Sequence, residues 1–338
     1  MARLSVLTCG MDKRFALPVS ACLALVICLL AASCQKTSPE TGRVKLKLQA
    51  DWYPQPEHGG FYTALLNGYY KDAGLDVTIL PGGPYLTAEQ QVSVGVAELG
   101  MSSSDRILES IADGQPLVAV AATMQHDPQG IMVRQDSTIH SFADLNGHTV
   151  AVKTGSTWFR YIEKRYQLKN VHEIPAMMNV ANFVADPNYI QQAFATSEPF
   201  FARQAGIETR MLMTSDAGYR PYRVMFTRRD YLAAHPAVVG NFVGASLRGW
   251  QEYLRDPAVA HAAIMKLNPA LNQQWMQFSW QALCGGGFVA GEEPGAAQLG
   301  RMERERWLAM YNQLLDLQVL AKQFDPTMAY TLQFVAGK

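Results

Sequence analysis

Apolar and polar positions follow two clear periods from residue 44 onward. In residues 44–50, VKLKLQA, every second residue is apolar, the pattern of a strand with one buried face. The next stretch, residues 51–76, reads DWYPQPEHGGFYTALLNGYYKDAGLD and opens with a loop holding two prolines, Glu57, His58 and two glycines. Leu65, Leu66, Tyr69 and Tyr70 then fall at helical spacing. Lys71 in the last turn and Gly74 just beyond predict an end at a left-handed C-cap. DVTIL resumes the strand pattern. Strand, loop, helix and strand predict a parallel pair with a right-handed crossover. The alternation continues through AELGMSS, a helix from about Asp105 to Asp113, and the apolar run PLVAVAATM.

GIMVR, from Gly130, begins a second block. SFADLNGHTVAV reads as a short helix and a strand, GSTWFRYIEKRYQL as a turn and a helix, and YRVMFTRR, near Tyr222, as the strand that ends the block. From Asp230 the chain is mostly helical, with apolar residues at helical spacing in 235–256, 257–267, 270–283 and 296–323. The pattern predicts an α/β architecture with a helical C-terminal part. A chain of 338 residues is long enough for two domains with sizeable cores.

The first residues change the picture. After Lys13 and Arg14 comes FALPVSACLALVICLLAAS, an apolar run ending in small residues and Cys34. Residues 1–33 read as an export signal, with Met1 or Met11 as the start, and Gln35–Arg43 as a flexible tether. The alternative is an uncleaved membrane anchor, since the run approaches bilayer-spanning length. Without residues 1–33 the chain has two more acidic than basic residues, and no basic stripe speaks for a nucleic-acid partner. Only Cys34 and Cys284 lie outside that segment; if Cys34 is lipidated, Cys284 has no partner and no disulfide framework is expected, and Cys284 reads as a small buried hydrophobe.

Ligands of α/β folds collect at the carboxyl ends of strands, which selects the candidate site residues. Trp52 can stack on a planar ring while Asp51 accepts hydrogen bonds from ring amino groups; alternatively, Trp52 caps the core. His58, at a helix start, is either a hydrogen-bonding pocket residue or a structural histidine. Ser103 and Ser104 follow a strand and open a helix, where hydroxyls cap the helix or meet a polar ligand. Thr154 and Ser156 repeat that arrangement in the second block, without a nucleotide-binding glycine pattern. Glu198 is placed at a strand end facing the ligand, or as a charge balancing a helix dipole, with Pro199 in the first turn. Tyr222, Tyr189 and Tyr219 are candidates for aromatic walls or for packing. The seven histidines are scattered and no HxxxH or CxxC spacing occurs, so no metal site is expected.

DW, HGGFY, NGYYKDAGLDV and GVAELGMSSSD resemble the bacterial periplasmic binding proteins related to the yeast thiamine-pyrimidine synthase, the NMT1/THI5-like family. The resemblance covers roughly Val44 to Val335. It implies a two-lobed type II periplasmic-binding-protein fold with a two-strand hinge near residues 128–134 and 222–228. The implied lobes are 44–129 plus 225–338, and 130–224. LLAASC resembles a lipobox, implying lipidation of Cys34 and an exported, membrane-anchored lipoprotein at the periplasmic or cell-surface face. The family further implies a monomer that hands a small molecule to an ABC permease and ATPase, with no cofactor. An acidic residue at the place of Glu198 commonly meets the ligand in relatives. A thiamine pyrimidine precursor, hydroxymethylpyrimidine or formylaminopyrimidine, suits Trp52 flanked by carboxylates. Riboflavin is an alternative, and nitrate or sulfonate is a poorer one, because two carboxylates would repel an anion. In the yeast enzymes a histidine at the place of His58 is consumed as a nitrogen source, but their Cys-rich CCCFC segment is absent here, so a binding protein is expected and a pyrimidine synthase-like enzyme is the alternative.

Overall fold

The computed structural model describes residues 42–177, 179–291 and 298–335. The expected signal segment, Cys34 and the tether up to residue 41 lie outside them. Among the described residues no helix is long and apolar enough to cross a membrane.

The first block contains β1 (Val44–Gln49), α1 (Gly59–Leu66), α2 (Tyr69–Asp72), β2 (Leu75–Leu80), α3 (Ala88–Ser93), β3 (Leu99–Ser103), α4 (Ser104–Ala112) and β4 (Leu117–Met124). The second contains β5 (Gln129–Arg134), β6 (Thr149–Val152), α5 (Thr157–Tyr166), β7 (His172–Pro175), α6 (Ala181–Ala185), β8 (Ile190–Phe194), α7 (Glu198–Gln204) and β9 (Thr209–Met213). The chain then returns through β10 (Arg223–Arg228) to α8 (Arg229–Ala234), α9 (Pro236–Arg255), α10 (Ala258–Leu267), α11 (Gln273–Gly285) and α12 (Arg304–Asp316).

These strands form two five-stranded sheets, ordered β2-β1-β3-β10-β4 and β7-β6-β8-β5-β9. β1 lies parallel to β2, with Val44 opposite Leu75 and Gln49 opposite Leu80. In each sheet one strand runs antiparallel to both neighbours, β10 in the first and β5 in the second. Each is the strand entered directly after the chain crosses from the other sheet. The crossings are residues 125–128 and 214–222, and the return ends at Arg223, whose backbone already pairs with Ser103. This is the two-lobed α/β fold with a two-strand hinge and a helical C-terminal part. Every residue of β4 is buried although it closes one side of its sheet. Bridges from Tyr330 to Ala119 and from Gly300 to Ala122 cover that edge.

One predicted helix is two. The helix expected up to Gly74 breaks at Gly68, which takes a left-handed φ of 77°, before a second short turn ends at Gly74 with φ 76°. The break explains why Leu66 is exposed while Tyr70 is buried with its hydroxyl 2.9 Å from Ser246 Oγ. The helix expected over 296–323 is confined to α12, and Gln318 takes a left-handed φ of 56° soon after it. Cys284 is exposed at the end of α11 rather than buried.

The HGG segment has a packing role that its composition hides. A Cβ on Gly59 would stand 2.1 Å from the Tyr253 ring and one on Gly60 would stand 2.2 Å from Trp250. On the facing helix, a Cβ on Gly249 would meet Gly60 O at 2.2 Å and Ala64 Cβ at 2.6 Å. The α1 and α9 backbones therefore touch, and Phe61 and Trp250 pack edge to face beside the contact. Gly249→Ala should lower unfolding free energy by about 1–3 kcal/mol, because neither backbone can yield to the added methyl. A urea melt with unchanged midpoint would show that the helices do not meet this closely.

A second core cluster joins Ile107 and Leu108 of α4 to Phe159 and Ile162 of α5, across Tyr219 and Tyr222 of the return crossing. Beside it, Thr157 Oγ1 donates to Glu109 Oε1 at 2.6 Å. Burial, aided by the neighbouring Asp105 charge, pushes the Glu109 carboxyl up to about 7. Its folded pKa is above its unfolded value, so the stability it contributes is complete below about pH 4.5 and is lost as pH rises through about 7. Glu109→Gln, which cannot ionise, should therefore gain on the wild type across that window in denaturant melts; parallel pH curves would contradict the assignment.

Candidate ligand-binding site

The loops that follow the parallel strands of the two sheets meet. Thr196, after β8, donates its hydroxyl to Glu57, after β1. Thr157, at the start of the helix after β6, reaches Glu109 on the helix after β3. Carboxyl strand ends from both lobes thus face one another, the place where an α/β fold gathers ligands.

On the first lobe, Asp51 and Trp52 stand just past β1 as expected. Trp52 is half-buried and packs edge to face with Tyr53, ring centroids 5.7 Å apart, and Tyr53 is 48% exposed. The loop after β2 presses on them. Gly82 N donates to Trp52 O at 2.9 Å, and a Cβ on Gly82 would lie 2.5 Å from Ala50 O. The aromatic pair is thus fixed from behind and open in front.

Asp51 is not a free carboxylate. Its Oδ1 accepts from His58 Nε2 at 3.0 Å, and its Oδ2 pairs with the Arg223 guanidinium. Arg223 also reaches Asp127 Oδ2 at 3.4 Å, and Asp127 Oδ1 accepts from Gln129 N at 3.1 Å. Burial holds the guanidinium down to about 10, so it stays charged at neutral pH. His58 is wholly buried, and burial pushes it down to about 4, leaving a neutral ring that donates to Asp51. It touches the cleft only through Asp51, and its Nδ1 has no hydrogen-bond partner.

The hydroxyl candidates divide. Ser103 ends β3 beside Arg223, and its side chain does not cap α4. Ser104 is a structural clamp: its N donates to Tyr222 O at 2.8 Å and its Oγ accepts from Tyr222 N at 3.0 Å. In the second lobe Thr154 is exposed, while Ser156 Oγ turns back to Lys153 O at 2.5 Å. Glu198 also turns back: its Oε2 accepts from Phe194 N at 2.8 Å, closing the turn between β8 and α7. Burial raises its pKa, and the nearby Glu57 charge adds to the push.

Tyr222 does not face the cleft. It is 1% exposed, its hydroxyl accepts from Glu303 N at 3.1 Å, and Arg306 lies 3.7 Å above its ring. Its register beside α12 turns the ring into the core. Tyr219 is likewise buried, donating to Asp105 Oδ2 at 2.6 Å, and Tyr189 packs against Met132 and Phe183.

Sequence reasoning missed Arg223, Asp127, Glu57 and Thr196 as members of the site. The available signal was an Arg opening one crossing strand, YRVMFTRR, and an Asp in the other crossing, DPQG. It missed Lys153 and Arg106 as well. Arg106 pairs with Glu89 at 3.1 Å, and burial, then the Arg106 charge, hold the ammonium of the exposed Lys153 below its usual range. Among the described residues no three His, Cys, Asp or Glu side chains gather as a metal site.

The model of the family described as NMT1/THI5 like matches residues 55–260. The chain belongs to that family. A riboflavin-binding protein of Chloroflexus aurantiacus, RibY, is 23% identical over 93% of this chain and 97% of its own length. A formylaminopyrimidine-binding protein of Halalkalibacterium halodurans is 31% identical over 37% of this chain and 39% of its own. Among solved structures, the periplasmic aliphatic sulphonate binding protein SsuA from Escherichia coli superposes with a TM-score of 0.65 at 16% identity, covering 87% of this chain and 94% of that one. That likeness establishes the periplasmic-binding-protein fold.

Tyr222→Phe should lower stability by about 1 kcal/mol through the lost partner of Glu303 N. Equal urea midpoints for the two proteins would show the hydroxyl to be idle.

Proposed function

We propose that the protein is the substrate-binding component of an ABC importer and captures a small planar heteroaromatic molecule between lobe 44–129 plus 225–338 and lobe 130–224. The carrying observation is the half-exposed Trp52–Tyr53 pair, fixed by the loop after β2 and set beside Asp51 at the meeting of the two lobes. An aromatic platform next to an acceptor suits stacking on a flat ring that bears a donor. The favoured ligand is a thiamine pyrimidine precursor, hydroxymethylpyrimidine or formylaminopyrimidine, supported by the formylaminopyrimidine-binding relative. Riboflavin is the second reading, and the match to RibY along nearly the whole of both chains favours it.

The protein acts by binding rather than by chemistry, the exported lipoprotein anchored through Cys34 delivering its ligand to a permease and an ATPase as a monomer. Ser103, Thr154 and Glu198 stand at strand ends where they border the ring, while His58 supports Asp51 from behind.

A thermal-shift panel of hydroxymethylpyrimidine, formylaminopyrimidine, thiamine, riboflavin, nitrate and taurine tests this. A ligand at a hundred times its Kd adds about 2.7 kcal/mol of stability, a shift of several degrees. One planar ring should raise Tm in the wild type and not in Trp52→Ala. If only nitrate or taurine moves Tm, or none of the six does, the planar-ring proposal is wrong.

A further inference from the structure

We propose that Asp51 and Arg223 together read a mixed donor–acceptor edge of the ligand ring, with Arg223 as the residue that determines specificity. This rests on the planar-ring reading above and narrows it to rings that carry an N–H or amino donor next to a carbonyl or ring-nitrogen acceptor.

The placement follows from sheet register. Arg223 opens β10 opposite Ser103, the last residue of β3, and β3 lies beside β1. Its guanidinium therefore crosses the carboxyl end of β3 to reach Asp51, just past β1 and next to Trp52. Neither group is sealed: the Arg223 side chain keeps 23% exposure and that of Asp51 keeps 21%.

Neither is saturated. A guanidinium has five N–H donors, and among the described residues those of Arg223 meet the carboxylates of Asp51 and Asp127. Each Asp51 oxygen has one recorded partner, His58 or Arg223, against two lone pairs. Spare donors and spare acceptors thus stand side by side, on Arg223 and on the residue that precedes Trp52. An anion would gain Arg223 but meet Asp51, and a ring edge with donors alone would gain Asp51 but meet the guanidinium. An edge with one of each satisfies both, and leaving either unpaired on closure is costly. Asp127 and His58 hold the two groups in place from the far side, one on each.

The test uses purified protein and two ring pairs: riboflavin with 3-methylriboflavin, and 4-amino-5-hydroxymethyl-2-methylpyrimidine with its 4-dimethylamino analogue. N-methylation blocks the edge and leaves the stacking face. The blocked member of whichever pair binds should be weaker by about tenfold or more in fluorescence or calorimetric titration. Arg223→Gln should weaken the open ring by a similar factor and the blocked ring hardly at all, the coupling expected of a direct contact. Arg223→Lys keeps the charge between Asp51 and Asp127 but loses the planar fork, so it should fold normally and still lose discrimination. Equal binding of open and blocked rings by the wild type, a comparison that needs no variant, overturns this inference and leaves the planar-ring reading standing. If neither ring pair binds, both fall.

Discussion

The ion pair between Arg223 and Asp51 is where the constraints on this fold meet. Arg223 opens the strand that returns from the second sheet, Asp127 lies in the outward crossing, and Asp51 lies in the loop that carries Trp52. One side chain therefore joins both crossings to the aromatic end of the cleft. A charge taken this far from water is tolerated only when it is paired, and removing one partner leaves the other uncompensated. That makes the geometry of Trp52 depend on the hinge, although the two are far apart in sequence. His58 completes the arrangement by fixing the opposite oxygen of Asp51 with a ring that burial keeps neutral.

The sequence made the periodic elements legible because periodicity reports burial. Strands β1 and β2, helix α4 and the helical return all follow from spacing of apolar residues. It was less informative about where a helix breaks, since Leu65, Leu66, Tyr69 and Tyr70 keep helical spacing across Gly68 although the backbone does not. At the site, Asp51 and Trp52 were visible because both stand at the end of the first strand. Arg223 was not, because its role comes from strand order: β10 inserts between β3 and β4, and nothing local announces which loop its first side chain will face. Tyr222 is the converse case. A tyrosine next to the hinge suggests an aromatic wall, yet register against α12 turns it into the core.

Composition also misleads about the glycines. Gly59 and Gly60 beside a histidine suggest a mobile or ligand-binding loop. The structure uses them to bring α1 against Tyr253, Trp250 and Gly249, where any side chain would collide. The rigidity of that contact matters for the cleft, because α1 starts directly after His58 and so sets the position of the ring that holds Asp51.

The lobes meet through two chemically different kinds of contact. On one flank Phe201 lies 5.1 Å from Trp275 and Phe200 lies 5.6 Å from Phe278, an apolar contact whose energy is insensitive to ionisation. Within it, Trp275 Nε1 donates to Thr196 O at 3.3 Å, and the Thr196 hydroxyl meets Glu57, whose pKa burial raises. The other flank has the Glu109–Thr157 bond, again a carboxyl whose pKa is raised. Burial of both carboxyls becomes less favourable as pH rises, while the threonine donors hold the ionised forms, and the aromatic contact does not respond to pH. Apposition of the lobes rests mainly on apolar packing, and the carboxyl–threonine bonds add direction to it. Arg223, paired with Asp51 and Asp127 yet 23% exposed, and the exposed Lys153 lie at strand ends, where a bound molecule can still reach them.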